Sequence, residues 1–442
     1  LPADKSVKCY LMIDINSLYS KFLNVGSVST DTRKITPGSI FFALKGPSFN
    51  GNAFASKALE LGSSYVVIDE GEALDERYLK VDDVLSTLQQ LASHHRKQLG
   101  IPVIAIVGSN GKTTTKELLN SVLSTRFKVL ATPGNFNNHI GLPLTLLMLD
   151  ESHYIAVIEM GANHEGENAL LCEIALPDYG IVTNNGKDHL EGFGSIEGVI
   201  RSNSELYSYL AKHNGTAFVN AYDDTLMHES EQVDKRITYS GISPGRIPVN
   251  ADFSLLAEIL QPTIRFSMNG ETTESILSGD YNFDNITAAI CIGHHFGLTS
   301  TELSTGVSSY QPANLRSQWI QKKQNTIFLD AYNANPSSME LSIRNFMGMP
   351  QSNKLLILGD MFEMGVYEAQ EHQALVNWCL QFKQAEFWLV GKAFTATQSD
   401  FRKFASTEDV AIELQNHPLT NRLVFLKGSR GMKLESLIDS IE

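Results

Sequence analysis

Short apolar runs, each followed by glycine or a polar cluster and then by a stretch with helical spacing, recur along nearly the whole chain. Ile104 to Val107 forms a β-branched run suited to a buried parallel strand, and after a glycine-bracketed turn Thr113 to Leu119 opens a helix. Upstream, "SIFFAL" and "SYVVID" predict strands and "NAFASKALELG" and "VLSTLQQLASHHRKQLG" predict helices, until "GIP" at 100–102 breaks the pattern. Downstream, "YIAVIEM" and "YGIVTN" alternate with helical stretches, as in a doubly wound parallel sheet. The more polar stretch 213–280 predicts hairpins and turns, followed by a helix over 283–296. After a second break in "SSYQPANLRSQW", the strand candidates "TIFLDAY", "KLLILGDM", "AEFWLVG" and "RLVFLKG" are separated by helices. The pattern predicts an α/β chain of three domains: a smaller N-terminal α/β domain over 1–100, a central domain over 101–309 with a P-loop-type, doubly wound, mostly parallel sheet, and a C-terminal Rossmann-like domain over 310–442.

Composition sharpens this picture. A chain of 442 residues is too long for one core, and 43% hydrophobic with 19% charged residues suits a globular enzyme. The net charge of −14 argues against a nucleic-acid surface, which needs a basic stripe. Anionic ligands must then be held by local lysines, arginines and helix ends. Cys9, Cys172, Cys291 and Cys379 are scattered without metal-ligand spacing, which fits a reducing cytoplasm. No stretch is long and apolar enough to span a bilayer, and no signal-peptide pattern opens the chain. Met12 begins the first convincing segment, so residues 1–11 read as an extension.

The chemistry concentrates in "IAIVGSNGKTTTKELL". Strand, glycine turn, Lys-Thr and helix in this order make a phosphate loop: Gly108, Ser109, Asn110 and Gly111 curl the backbone, Lys112 adds charge, and Thr113 and Thr114 open a helix whose free N–H groups face the turn. The general pattern has a further glycine where Ile106 stands, so this is a shortened GxxGKT variant. Other polar residues fall at the carboxyl ends of strands, where open parallel sheets collect ligands. Glu159 ends "YIAVIE" and is either a solvated strand end or a Mg²⁺ ligand; His189 follows the strand 180–184, and a lone histidine is more often structural. Asn282 and Asn285 either cap the next helix or read an adenine edge. Arg316, just past the second break, is a surface arginine or one that swings onto a phosphate.

Taken together, "GSNGKTTTKELL", "TPGNFNNHIGLPLTLL", "IEMGANHEGE", "HLEGFGSIEGV", "DAYNANPSSM", "LGDMFEMG" and "KGSRGMKLE" resemble the Mur ligases over essentially the whole chain from Met12. "DAYNANPSSM" and "LGDMFEMG" are most similar to the members that attach D-alanyl-D-alanine to UDP-N-acetylmuramoyl-tripeptide. The resemblance implies a monomeric, cytoplasmic, ATP- and Mg²⁺-dependent ligase of peptidoglycan precursor synthesis that works through an acyl phosphate. It implies that Lys112 holds the β- and γ-phosphates, that Thr113 and Glu159 bind a first Mg²⁺, and that His189 and Glu159 help site a second. It further places Asn285 at the adenine and Arg316 and Asp330 at the nucleotide. Thr32, Arg33 and Lys45 would lie near the uridine diphosphate, and Asn135, Asn137 and Asn138 on the muramoyl-peptide side. Asn333, Asn335, Asp360, Glu363 and Arg430 would hold the dipeptide or the substrate peptide.

One position departs from the family. Where relatives carry a lysine that becomes a carbamate supporting the second Mg²⁺, this chain has Asn203, a neutral amide, and Lys187 is the nearby cation in sequence. A weaker second metal site is therefore expected. The competing readings are a catalytically silent binder of nucleotide and UDP-sugar, or a superfamily ligase for another amino acid, such as a folylpolyglutamate synthetase.

Overall fold

The computed structural model describes residues 12–268 and 270–441, so the extension expected over residues 1–11 lies outside the described residues. The chain forms two compact units, one comprising residues up to Ala105 with Lys128–Met160 and Ala169–Asp178, the other Ile106–Phe127, Gly161–Asn168 and everything from Tyr179 onward.

In the first unit four parallel strands lie side by side in the order Val28–Ser29, Ile40–Phe42, Tyr65–Ile68 and Tyr78–Lys80. Phe41, Val66, Ile68 and Tyr78 pack with Ala55 and Ala58 of the following helix into a small core. The helix Val84–Leu99 starts because the Asp83 carboxylate accepts the Ser86 N–H, and it stops at Gly100 in the left-handed region. Val84, Leu88, Leu91, Ala92 and His95 recur at helical spacing and are its buried stripe. Further along, Ile155–Glu159 pairs in parallel with Val129–Ala131.

The second unit contains the phosphate loop, the helix Lys112–Leu123, and a run of strands Tyr179–Val182, Thr216–Asn220, Lys235–Ile242 and Phe253–Ile259, each parallel to the next. Only Phe253–Ile259, Ile264–Met268 and Glu271–Ser275 form the antiparallel hairpins expected over 213–280. The first part of that stretch instead continues the parallel sheet. Its strand Thr216–Asn220 is short and its neighbour Lys235–Ile242 begins exposed, so neither carries a long apolar run. The helix expected over 283–296 spans Asp280–His295, because Gly279 at φ 90° turns the chain into it.

The C-terminal part has six strands rather than four. Their order is Gln318–Lys322, Asn325–Leu329, Leu423–Lys427, Lys354–Gly359, Glu386–Val390 and Arg402–Phe404, with only the first pair antiparallel. The last long strand is inserted between two earlier ones, and Asp330, Asp360 and Lys427 stand at or just past the carboxyl ends of these strands, the edge where open parallel sheets collect ligands. One face of this sheet is closed by Phe328, Phe346 and Phe425, whose rings stack with centroids 5.0 to 6.5 Å apart. Trp319, Trp378 and Trp388, the three tryptophans of the chain, all lie here, so indole fluorescence reports on this part alone. Phe425→Ala is expected to lower the urea midpoint of the fluorescence transition, corresponding to a loss of about 3–5 kcal/mol.

Candidate active site

The loop at 108–111 is held by the strand end beside it. Ser109 N donates to Asn184 O at 3.0 Å, Asn110 N to Asn184 Oδ1 at 3.1 Å, and Asn184 Nδ2 and Thr183 Oγ1 donate to Asn110 O at 2.9 and 2.7 Å. The buried Ser109 hydroxyl donates to Asp188 Oδ1 at 2.5 Å and accepts from Gly186 N at 2.9 Å. Gly108 and Gly111 sit at φ 127° and 82°, and a Cβ on either would lie 2.2 Å from Thr183 Oγ1 or 2.8 Å from Asn285 Oδ1. Only glycine fits such a curl, and the curl leaves the first-turn N–H groups of Lys112–Leu123 pointing toward the loop's mouth. Lys112 Nζ folds onto the loop carbonyls of Gly108 and Ser109, and Thr113 is buried in the first turn. The donor set is that of an anion site, with nothing acidic in the first turn to oppose a phosphate.

Asn285 lies on the buried side of its helix. Its Oδ1 accepts from Thr115 Oγ1 at 3.2 Å and its Nδ2 donates to Asn282 Oδ1 at 3.4 Å, so the amide that was expected at adenine also braces the phosphate-loop helix. Asn282 donates to Ser278 O at 2.9 Å and is not a cap.

His189, at φ 45°, meets Glu363, itself at φ 63°, in a side-chain hydrogen bond through Nδ1, and that bond holds the Glu363 carboxyl below the usual carboxylate range. A residue expected at the metal and one expected at the dipeptide are thus brought together. Lys187 Nζ binds the buried Glu371 at 2.7 Å, and Lys187 N donates to Ser337 Oγ at 2.9 Å. That pairing commits the lysine away from the Asn203 position. Asn203 belongs to the buried stripe of the helix Ile196–Lys212, with Val199, Leu206 and Leu210, and donates from Nδ2 to Asn185 Oδ1 at 2.8 Å. The two amides meet where the strand Tyr179–Val182 has just ended.

In the C-terminal part, Asp330 Oδ2 accepts from the buried Lys427 at 2.6 Å and from Ser342 Oγ at 3.1 Å. Arg316 stacks over the Tyr332 ring at 4.0 Å, and Arg430 lies 5.2 Å from the same ring. Asn314, Leu315 and Ser317 around Arg316 all have positive φ, of 57°, 60° and 46°. Such a conformation costs a residue with a Cβ roughly 1–2 kcal/mol, so the chain here is held, by Ala331 N to Leu315 O and by Gln318 Oε1 on Leu315 N. Asn335 caps the helix Pro336–Gly348 through Ser338 N and donates from Nδ2 to Asn110 Oδ1 at 2.9 Å. Asp360 is also a cap: Ala393 N and Phe394 N donate to its two oxygens at 3.0 and 2.9 Å. Asn333 is exposed and accepts the Ala334 N–H. Tyr367 OH donates to Gly194 O at 3.0 Å.

The first unit carries the other candidates. Arg33 is exposed and paired with Asp31 at 2.8 Å, beside Thr32 in a single 3-10 turn. Lys45 reaches Asp69 and Glu70, both at 3.1 Å, which raises its affinity for the proton. Asn135 is exposed, Asn138 Oδ1 accepts from Gly141 N at 2.9 Å, and Asn137 Nδ2 donates to Glu159 Oε1 at 2.9 Å. Glu159 is buried, and its N–H is fixed by Thr132 Oγ1.

Thr183, Asn184, Asp188, Tyr332, Glu371 and Lys427 were not singled out by sequence. For the first three the signal was present, since "TNNGKD" is a polar cluster directly after an apolar strand. Among the described residues no three His, Cys, Asp or Glu side chains gather into a metal site. The hydroxyl of Thr113 and the carboxylate of Glu159 are nonetheless hard donors of the kind Mg²⁺ takes one or two of, filling its remaining positions with water and phosphate oxygens.

Three domain models match the chain in order: the Mur ligase family catalytic domain over 24–105, the Mur ligase middle domain over 106–293, and the Mur ligase glutamate ligase domain over 315–430. A Bacillus subtilis (strain 168) relative, UDP-N-acetylmuramoyl-tripeptide–D-alanyl-D-alanine ligase, is 33% identical over 94% of this chain and 93% of its own. The chain belongs to the Mur ligase family. Among Mur ligase structures, MurF from Acinetobacter baumannii superposes with a TM-score of 0.84 at 29% identity, covering 94% of this chain and 93% of that one. MurF ligase from Thermotoga maritima in complex with ADP gives 0.83 at 25% identity, covering 95% and 97%. The three-domain α/β fold of the Mur ligases is therefore the fold of this chain. As in the expectation from sequence, no helix among the described residues is long and apolar enough to cross a membrane.

If the curl at Gly108 is what admits a nucleotide tail, Gly108→Ala is expected to weaken ADP binding by more than about tenfold, read by titration calorimetry, because the Cβ must displace Thr183 or the loop.

Proposed function

We propose that this chain is an ATP-dependent ligase that joins D-alanyl-D-alanine to UDP-N-acetylmuramoyl-tripeptide in peptidoglycan precursor synthesis, acting in the cytoplasm as a monomer built of three domains, 1–100, 101–309 and 310–442. The observation that carries the reading is the glycine cradle of 108–113, stapled by Thr183, Asn184 and Asp188, within a chain similar along nearly its whole length to a ligase of that name.

Phosphorylation of the tripeptide carboxylate by ATP brings like charges together. At about 4 Å and an effective dielectric near 20, each pair of unit charges repels by roughly 4 kcal/mol. The first-turn N–H groups of the helix Lys112–Leu123 and the Lys112 ammonium offset part of this on the β- and γ-phosphates, and Arg316 and Asp330 meet the nucleotide from the C-terminal part. Mg²⁺, for which Thr113, Glu159 and His189 are the assigned ligands, supplies further neutralisation when bound. The amine of the dipeptide then displaces phosphate from the acyl phosphate, and exclusion of water protects that intermediate. In the first unit Thr32, Arg33 and Lys45 are assigned to the uridine diphosphate, and Asn135, Asn137 and Asn138 to the muramoyl peptide. Asn333, Glu363 and Arg430 are assigned to the incoming dipeptide or the substrate peptide. Asn335 and Asp360 serve the same site indirectly, by fixing the starts of two helices.

The test is phosphate release by the purified chain with ATP, Mg²⁺, the UDP-muramoyl-tripeptide and D-alanyl-D-alanine, each omitted in turn. Release that requires all of them is expected; release without the dipeptide, or none with the full set, overturns the reading. Turnover with another amino acid in place of the dipeptide would favour a different superfamily ligase.

Asn203 bears on the metal requirement. A neutral amide bonded to Asn185 adds no negative charge at the strand end. Replacing it as Asn203→Lys is expected to lower the Mg²⁺ concentration for half-maximal activity about threefold or more, read from Mg²⁺ titrations with and without added bicarbonate. An unchanged Mg²⁺ dependence would detach this position from the metal.

A further inference from the structure

Arg316 and Arg430 come from distant parts of the chain, one in the segment leading into the C-terminal sheet and one just after its last strand, yet both guanidinium groups lie over the ring of Tyr332, at 4.0 and 5.2 Å. Like charges do not gather in this way without a reason. Neither arginine pairs with a carboxylate among the described residues, and Arg316 Nε is buried without a hydrogen-bond partner. The backbone that presents Arg316 is held in the left-handed region at Asn314, Leu315 and Ser317, the kind of local strain that persists where a side chain must be aimed. The aromatic ring supplies the one attraction that can hold two guanidinium planes together while leaving their N–H edges for anions. Tyr332 itself sits two residues after Asp330, whose carboxylate is fixed by Lys427.

We infer that Tyr332 is a positioning residue that couples the nucleotide to the acceptor dipeptide: its ring is the shared platform for Arg316, on the nucleotide side, and Arg430, on the carboxylate of D-alanyl-D-alanine. The inference rests on the ligase reading above and adds to it a residue and a linkage. When an anion engages one guanidinium, that group is held more firmly on the ring, and the ring in turn is fixed for the second. The ordering cost is then met once for two ligands, which makes their binding cooperative. Linkage requires the effect to be reciprocal, so ADP must tighten the dipeptide by the same factor as the dipeptide tightens ADP. The role belongs to the aromatic face and not to the hydroxyl, which separates Tyr332→Phe from Tyr332→Leu.

The experiment is calorimetric titration of the full chain with ADP, in the presence of Mg²⁺ and UDP-muramoyl-tripeptide, with and without D-alanyl-D-alanine. The wild-type chain and Tyr332→Phe are expected to bind ADP about fivefold or more tightly when the dipeptide is present. Tyr332→Leu, and Arg430→Lys, which keeps the charge but loses the stacking plane, are expected to bind ADP equally with and without it. The dipeptide is added at a concentration that its own titration shows to saturate each variant, so that a ratio near one reports lost coupling and not an unbound dipeptide, and Arg430→Lys carries the test if Tyr332→Leu does not fold. A ratio near one in the wild-type chain, a wild-type ratio in Tyr332→Leu, or loss of the ratio in Tyr332→Phe overturns the inference. Failure of the wild-type chain to bind ADP at all would instead remove the ligase reading on which it rests.

Discussion

The organisation of the second unit depends on making a tight backbone curl at the end of a buried strand and keeping it open toward an anion. The curl cannot hold itself, since the N–H groups of Ser109 and Asn110 are bonded to Asn184 and those of the helix's first turn must remain available to a ligand. The chain resolves this by bonding the loop from below, through Thr183, Asn184, Gly186 and Asp188. That in turn requires a polar cluster immediately after an apolar strand, glycine at two positions where a methyl group would collide, and a helix whose inner face carries Thr115 against Asn285. "GSNGKTTTKELL" and "TNNGKD" are the two halves of this one device.

Much of the fold was legible because its strands are continuous apolar runs and its helices amphipathic. The strands at 104–107, 180–184, 326–329, 354–359 and 423–427 announce themselves by β-branched and aromatic residues that are buried on both faces. Thr216–Asn220 and Lys235–Ile242 did not, because the apolar run of the first is only Ala217 to Val219 between polar residues, and the second opens on exposed Lys235 and Arg236 and carries serine and threonine where it is buried or half-buried. The edge strands Gln318–Lys322 and Arg402–Phe404 were missed for the same reason: a strand paired on one side needs few apolar residues.

The candidate site was legible as a set of residue types but not as a set of partners. A phosphate loop has a local pattern, and Lys112 and Thr113 follow from it. Side chains meeting across long intervals leave no such trace. Nothing in "DAYNANPSSM" says that Asn335 caps its helix while its amide reaches Asn110, or that Tyr332 lies beneath two arginines. The same holds for Lys187, which sequence proximity set beside Asn203 and which the fold joins to Glu371. Asp360, a carboxylate at a strand end, has its charge already committed to a short helix.

Where the phosphate loop and the strand end at 184–194 meet the C-terminal part, the hydrogen-bonded links are Asn110 with Asn335, Lys187 with Glu371 and Ser337, His189 and Glu191 with Glu363, and Gly194 with Tyr367. Each of these is polar. Water can replace every one of them, so parting this seam bares groups that hydrate readily and uncovers no greasy face along these contacts. A joint of this kind has the chemistry of a reversible dock: its grip weakens as ionic strength rises, and parting it along these contacts would not invite aggregation.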